Sequence, residues 1–356
     1  MCDPEQERHG IGNVHRSTGG GMKLSVLLIT YNHEKFIAQA LDSILMQKVD
    51  FDYEIVIGED CSTDKTRKII RDYLDRYPDK IRFVARERNI GPIKNFIQTY
   101  KSCTGKYIAM IDGDDYWTSP DKLQKQVDFL EKNDDFAIVF HMVGTVDELD
   151  GAREGRTWPD HPKDVYTIED LLKECFMHTA ATVCRNGLFG EFPEWFHSTI
   201  MYDWPTHVLN AQYGKIKCIR EILGIYRFHG GGLWSGLEKP ATHLEYIKFY
   251  KAINTHLKKR YEGIIKTRLD YHYCTLALMY YELALENEES GNIGNARTYA
   301  LKSIICNPTN KENKEASKYF KELPSNKDRL KLFSRVYFPW GYGMLKNIKL
   351  LVSKHS

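Results

Sequence analysis

Residues 107–117 read YIAMIDGDDYW. Residues 107–111 form a short uncharged run typical of a strand buried on both faces, and it stops abruptly at Asp112, Gly113, Asp114 and Asp115. Three carboxylates within four positions repel one another unless a cation or strong donors neutralise them, so the segment predicts a metal at a strand end. Hard oxygen ligands with few His or Cys nearby favour Mg²⁺ or Mn²⁺ over zinc. Such an ion takes its remaining ligands from substrate phosphates and water, which points to a diphosphate-containing substrate.

Working outward, residues 24–29, 54–57 and 81–85 read as further strands. They alternate with helical stripes over residues 34–47, 63–77 and 92–103, the second ending before Pro78 and the third opening on Pro92. Repeated strand–helix alternation predicts an α/β, Rossmann-like, mainly parallel sheet with helices on both faces. Open sheets of this kind bind ligands at the carboxyl ends of their strands. Polar clusters stand at those ends: Thr30, Tyr31 and Asn32; residues 58–64; residues 89–95; and the acidic cluster.

After Asp115 the pattern becomes mixed α+β. A helix is expected over 119–132 with Ser119 as N-cap, a strand over 136–142, a helix over 167–175 and a strand over 180–184. A helix over 204–213 and strands over 215–219 and 222–228 follow. From residue 240 onward only helical stripes remain. There Tyr280, Leu283, Ala284, Ala296 and Pro308 fall at the spacing of one tetratricopeptide hairpin, with Gly291 and Asn292 at its turn. Such repeats need about 3 copies to stand alone, so the hairpin is expected to pack on the preceding domain or on another chain.

Composition sets the outer bounds. Fifty basic and 48 acidic side chains in 356 residues leave a net charge of +2, which excludes a whole-chain field that gathers nucleic acid. No apolar run approaches the roughly 20 residues of a membrane-spanning helix. The 8 Cys form no C-x-x-C pair, as expected of reduced thiols in a cytoplasmic protein. Residues 1–21 lack an apolar signal core and read as a flexible leader. Residues 324–356 set seven Lys and Arg against the single acid Asp328, interleaved with aromatics. That pattern fits peripheral contact with the inner face of a membrane, or packing on the main domain with the lysines outward.

The segments VLLITYN (26–32), VIGEDCSTD (56–64), Asn89-x-Gly91, AMIDGDDYWTSPDKLQKQVDFLEKN (109–133), YDWPTHVLNAQYGKIK (202–217) and EILGIYRFHGGGLWS (221–235) occur in that order. Over roughly residues 23–236 the chain thereby resembles the family 2 glycosyltransferases, inverting enzymes of the glycosyltransferase A fold. That resemblance implies a nucleotide-sugar half over 22–115, an acceptor half over 116–238, a helical extension over 239–323 and the basic aromatic tail. It also implies a metal-dependent hexosyl or N-acetylhexosaminyl transfer from a nucleotide-diphosphate sugar, UDP-sugar first, to a saccharide or lipid-linked acceptor in cell-surface polysaccharide synthesis. A homo-oligomer fits the same picture.

Carried over by residue, the resemblance places the nucleobase at Thr30 and Tyr31, with Asp60 reading the base edge. Glu59 stands where the family usually has Asp. Lys94 is assigned to the base or diphosphate, Asp112 to the ribose and Arg227 to phosphate. Asp114 and His229 are the implied ligands of Mn²⁺ or Mg²⁺, with Asp115 a third candidate, and Asp203 is the implied general base, which also reads as a helix N-cap. Residues 178–183 match an acceptor-lining loop, while Glu191, Glu194 and Trp195 lie in the variable region before the base. The same motifs bear on two alternatives. A sugar-phosphate nucleotidyltransferase needs a Gly-rich phosphate loop after the first strand, which TYNHEK (30–35) lacks. A helical interaction module on an inactive donor-binding domain is disfavoured by the intact Asp112, Asp114, Asp203 and His229.

Overall fold

The computed structural model describes residues 21–152, 154–232 and 239–306, together with 328, 331, 332 and 334. The leader before residue 21, Pro308 and nearly all of the basic tail lie outside the described residues.

Ten strands and nine α-helices are described. In chain order the first half runs β1 (Leu24–Thr30), α1 (Ile37–Leu45), β2 (Tyr53–Glu59), α2 (Thr66–Arg76), β3 (Ile81–Ala85), α3 (Pro92–Ser102), β4 (Tyr107–Asp112). Next come β5 (Tyr116–Trp117), α4 (Lys122–Lys132), β6 (Phe136–Asp147), β7 (Thr157–Trp158), β8 (Val165–Tyr166), α5 (Ile168–Lys173) and β9 (Thr182–Arg185). The rest is α6 (Asp203–Ala211), β10 (Lys215–Phe228), α7 (Lys239–His256), α8 (Glu262–Glu289) and α9 (Ile293–Ile305).

The strands form one mixed sheet in the order β3-β2-β1-β4-β9-β6-β10-β5, with β7 and β8 appended at β6 and β10. The first four strands are parallel, and β9 lies antiparallel between β4 and β6. Side-chain alternation builds two cores from the same strands. Val26, Leu28, Ile57, Ala109 and Ile111 point to one face under Ile37, Leu41 and Ile44 of α1, Ile70 of α2 and Leu123 and Val127 of α4. Leu27, Ile29, Val56, Ile108 and Met110 point to the other, under Phe96 of α3 and Trp204 and Val208 of α6.

The second core extends into the C-terminal helices. Phe249, Tyr250 and Ile253 of α7 are fully buried in it, and the Tyr250 hydroxyl donates to Leu172 O at 3.0 Å. Burying each such side chain is worth about 1.5–3 kcal/mol, so α7 is bound as firmly as an internal helix. The expected hairpin forms from α8 and α9, which turn at Gly291 in the left-handed region (φ +79°). Small residues Ala284, Ala296 and Ala300 let the two helices approach closely, and Leu332 is buried against them.

Several expected boundaries shift for identifiable reasons. Residues 215–228 are one strand instead of two, because bulges between Ile219 and Ile222 and between Ile222 and Gly224 keep it paired with β6. That pairing also carries β6 on to Asp147. The helix expected from Ser119 begins at Lys122, since the Ser119 and Pro120 carbonyls accept from Gln47 Nε2 (2.7 Å) and Lys48 N (2.8 Å). Ser119 Oγ accepts only from Asp121 N, at 3.3 Å, within that turn. The strand expected over 180–184 starts at Thr182, after a 3-10 turn over Thr179–Ala181. At α6 the N-cap position belongs to Tyr202, and Asp203 is the first helical residue.

Candidate active site

In this strand order the chain reverses its course between β1 and β4, the place where an open α/β sheet leaves a crevice. Asp112 lies beside Ile29 in the β1–β4 register, so the Thr30 and Asp112 ends of the two strands open into the same space. Gly113 seals the join. Its N–H donates to Ile29 O at 3.0 Å, and a Cβ there would sit 2.5 Å from Thr30 Oγ1 and 2.9 Å from His33 Nδ1. Only glycine fits, because neither neighbour belongs to a free side-chain end on the surface.

The carboxylates of Asp112, Asp114 and Asp115 lie within 4.8 Å of one another. Their fates differ. Burial and the neighbouring Asp114 push the carboxyl of Asp112 well up, and burial together with Asp114 and Asp112 does the same to Asp115. Burial would raise Asp114 too, but His33 and His229 outweigh it and hold Asp114 down at about 2. Asp114 Oδ2 lies 2.9 Å from His229 Nε2 and 3.6 Å from His33 Nε2. Because Gly231 N–H donates to His229 Nδ1 (3.2 Å), the proton of neutral His229 sits on Nε2 and is donated to Asp114. Asp114 is thus the ionised member, with two imidazoles converging on it.

Arg227, expected at phosphate, is held within the protein by the acidic turn and two aromatic rings. It is only 7% exposed, and its guanidinium lies 4.8 Å from the ring centres of both Phe36 and Tyr116. Nη1 donates to Asp114 O (2.8 Å), Nη2 to Gln39 Oε1 (2.7 Å), and Nε is 3.2 Å from Glu148 Oε1. Its backbone N–H donates to Asp115 Oδ1 at 3.0 Å. Arg227 braces the acidic turn from within the protein.

On the β2 side, adjacent acids separate sharply. Glu59, expected at the nucleotide sugar, is fully buried, accepting from Ser62 N (2.5 Å) and paired with the Arg67 guanidinium, so it locks the loop from beneath. Asp60 leaves the strand and accepts from Ile90 N (2.8 Å) and Gly91 N (2.9 Å), tying the start of α3 to the crevice. The Thr30–Asn32 turn is fastened to the same loop by Thr63 N to Asn32 Oδ1 (2.8 Å) and His33 N to Thr66 Oγ1 (2.8 Å). Tyr31 stays 41% exposed at the rim, while Thr30 is buried against Gly113. Lys94 is exposed on the first turn of α3.

Asp203 enters from α6. Thr179 Oγ1 donates to its Oδ2 at 3.3 Å, and burial raises its carboxyl above the ordinary range. The same Thr179 hydroxyl also lies beside Asp112, so the base candidate and the acidic cluster share a neighbour. In the expected acceptor-lining segment His178 and Thr179 lie at the acidic cluster, with His178 Nδ1 3.7 Å from Asp115 Oδ2; residues 180–183 are fully buried, the first two in the 3-10 turn and the others in β9. Trp195 packs inward against Phe196 and Phe249, Glu191 pairs with Lys101, and Glu194 is exposed. Sequence reasoning passed over His33 and Tyr202. His33 directly follows the Tyr31-Asn32 signature, a cue within reach; Tyr202, whose hydroxyl donates to Asp112 Oδ1 at 2.6 Å, had none beyond its place before Asp203.

Residues 25–192 match the family model described as glycosyl transferase family 2. An uncharacterized protein of Mycobacterium tuberculosis is 35% identical over 212 residues, 59% of this chain and 60% of its own length. An uncharacterized glycosyltransferase of Nostoc sp. is 30% identical over 224 residues, 59% of this chain and 66% of that one. The chain thus spans about 60% of the length of the first of these curated relatives. Among solved structures, Staphylococcus aureus TarS residues 1–349 in complex with UDP shares the fold at a TM-score of 0.55 and 16% identity, covering 88% of this chain and 91% of that one.

Proposed function

Since the chain belongs to glycosyltransferase family 2, we propose that it transfers a sugar, with inversion, from a nucleotide-diphosphate sugar to a hydroxyl of a saccharide or lipid-linked acceptor. The observation that carries this reading is the convergence, at one crevice, of Asp114 with His229 at 2.9 Å, of Asp112 at the end of β4, and of Asp203 from α6. In this reading the nucleobase stacks on the exposed ring of Tyr31 beside Asp60, and the ribose meets Asp112. Lys94, exposed at the start of α3, faces the base or diphosphate. UDP is the nucleotide to try first, because it is the one bound in the TarS crystal.

The acidic turn fits a divalent cation: three hard oxygen donors stand within 4.8 Å, and two of them are pushed up by burial and by the neighbouring carboxylates. Asp114 and His229 would hold Mg²⁺ or Mn²⁺, with Asp115 behind them. Bound there, the cation would offset negative charge on the departing nucleoside diphosphate.

Asp203 performs the proton transfer. Its carboxylate takes the proton of the acceptor hydroxyl as that oxygen bonds to the anomeric carbon and the carbon–oxygen bond to the diphosphate breaks. Inversion needs one such acid, and the upward shift from burial makes Asp203 a better base than a solvated carboxylate. Thr179 orients it.

A thermal-shift screen of nucleotide sugars with MnCl₂ tests the reading. A ligand at about 100 times its Kd stabilises the fold by about 2.7 kcal/mol, a readily measured shift. If no nucleotide sugar raises the melting temperature with either Mn²⁺ or Mg²⁺, the proposal fails. Release of pyrophosphate from a nucleoside triphosphate would instead identify a nucleotidyltransferase.

A further inference from the structure

Tyr202 joins the donor side of the crevice to the base. Its hydroxyl donates to Asp112 Oδ1 at 2.6 Å across 90 positions of sequence, and it immediately precedes Asp203. Its ring is stacked on Phe96 of α3, with centroids 4.7 Å apart and planes at 22°. The start of α3 is in turn held by both carboxylate oxygens of Asp60. On the backbone side, Tyr202 O accepts from Thr206 Oγ1 (2.5 Å) and Thr206 N (3.3 Å), so the residue is part of the first turn of α6. Beyond its own turn, Asp203 reaches Thr179 at 3.3 Å, near the long limit of an O–H···O bond. The placement of Asp203 therefore follows the backbone of Tyr202 more than any partner of its own.

We propose that Tyr202 is a positioning residue that couples occupancy of the donor pocket to the placement of Asp203. The proposal rests on the reading of Asp112 as the ribose carboxylate and Asp203 as the base. Without donor, the phenol occupies Asp112 Oδ1. A ribose hydroxyl arriving at Asp112 meets that phenol and displaces it. The exchange replaces one O–H···O bond to Asp112 by another of the same kind, so it is close to balanced and needs no strong driving force. Released from Asp112, Tyr202 slides along the face of Phe96 and the first turn of α6 moves with it. The base takes its working position only when there is a donor to use it on.

The test compares the wild type with Tyr202→Phe, which keeps the ring stacked on Phe96 and removes only the hydroxyl. UDP binding in MnCl₂ is measured by calorimetry, and amide hydrogen exchange is followed over residues 203–209. Losing a competing hydrogen bond should tighten UDP binding about threefold to tenfold. In the wild type, UDP should change exchange at the Thr206 amide; the variant should show the UDP-bound level without UDP. A purely structural tyrosine would weaken UDP binding or leave both readouts unmoved, and either result overturns the proposal. The exchange measurement on the wild type needs no variant, so a poorly folding Tyr202→Phe leaves a decisive arm: an α6 terminus indifferent to bound UDP overturns the coupling. A wild type that binds neither UDP nor any nucleotide sugar overturns the donor-site reading and the coupling with it, whereas intact UDP binding with no effect at α6 removes the coupling alone.

Discussion

Replacing Asp112 by Asn should stabilise the metal-free protein and weaken its stabilisation by Mn²⁺. The two parts have one cause. Asp112 and its neighbours are at most 4.8 Å apart, and two unit charges at that separation repel by about 3.5 kcal/mol at an effective dielectric of ~20. Partial exposure of Asp112 reduces this, so the expected gain is about 1–2 kcal/mol, or about 1–3 °C in Tm for a body of this size. Asn keeps the oxygen that Tyr202 donates to, so the substitution removes charge without removing the hydrogen bond. The pH dependence fixes the sign. The carboxyl of Asp112 is raised in the folded state, so the fold is penalised once the group ionises, and the penalty disappears as pH falls and the folded group binds its proton. The advantage of Asp112→Asn should therefore be largest at about pH 8 in EDTA and shrink toward about pH 5. Differential scanning calorimetry at both pH values, with EDTA and with MnCl₂, reads all four quantities. A variant less stable than wild type in EDTA at the higher pH would show that the acidic turn is not a strained, cation-seeking cluster, and the reasoning would be refuted.

Asp203→Asn should lower transfer by about 10²–10⁴-fold while leaving UDP affinity within twofold, as checked by turnover and calorimetry; unchanged turnover would remove Asp203 from its role. His229→Ala should weaken Mn²⁺ binding about 10–100-fold. Because burial and crowding hold the carboxyls of Asp112 and Asp115 well up, Mn²⁺ binding in the wild type should release their protons and tighten with rising pH, which titration in buffers of different ionisation enthalpy detects. Arg67→Met strands the fully buried Glu59 and should cost about 3–5 kcal/mol, read by denaturant unfolding. Lys122→Met should be neutral or stabilising, since the ammonium is fully buried over the Trp117 ring at 3.8 Å and burial drives its proton affinity far down; a large loss of stability would reveal a charge the fold depends on.

The parallel half of the sheet could be read directly, because each buried strand and each helical stripe is specified by local apolar spacing. The insertion of β9 between β4 and β6 was not legible. Residues 182–185 are one more short apolar run, and nothing local fixes their direction or neighbours. The bulges that fuse residues 215–228 into one strand are likewise set by the partner, β6. In the site, Asp114 and His229 are 115 residues apart and were brought together on paper only by the motif order; the 2.9 Å contact between their side chains agrees with it. Glu59 and Asp60 show where residue type runs out as a guide. Both are acids in one motif, but Glu59 is the last residue of β2 and turns under to Arg67, while Asp60 is the first beyond it and reaches the crevice loop. Arg227 shows the same limit: a guanidinium that meets a ligand and one that braces the acidic turn from behind look alike in sequence.

The seam between α6 and α7 has an evolutionary and practical consequence. Trp204, the residue after Asp203, lies with its ring centre 4.9 Å from that of Phe249 and 5.7 Å from that of Tyr250, both on α7. Composition changes near residue 238, but the chain is not divisible there: cutting it would leave the indole beside Asp203 facing water on the side that α7 now fills. Recombination that grafted a different helical extension onto the sheet would have to bring its own aromatic pair to the same spot, or lose the packing that supports the first turn of α6. Exchange of extensions between relatives is therefore restricted to breakpoints beyond α7, and a minimal functional fragment has to end after His256.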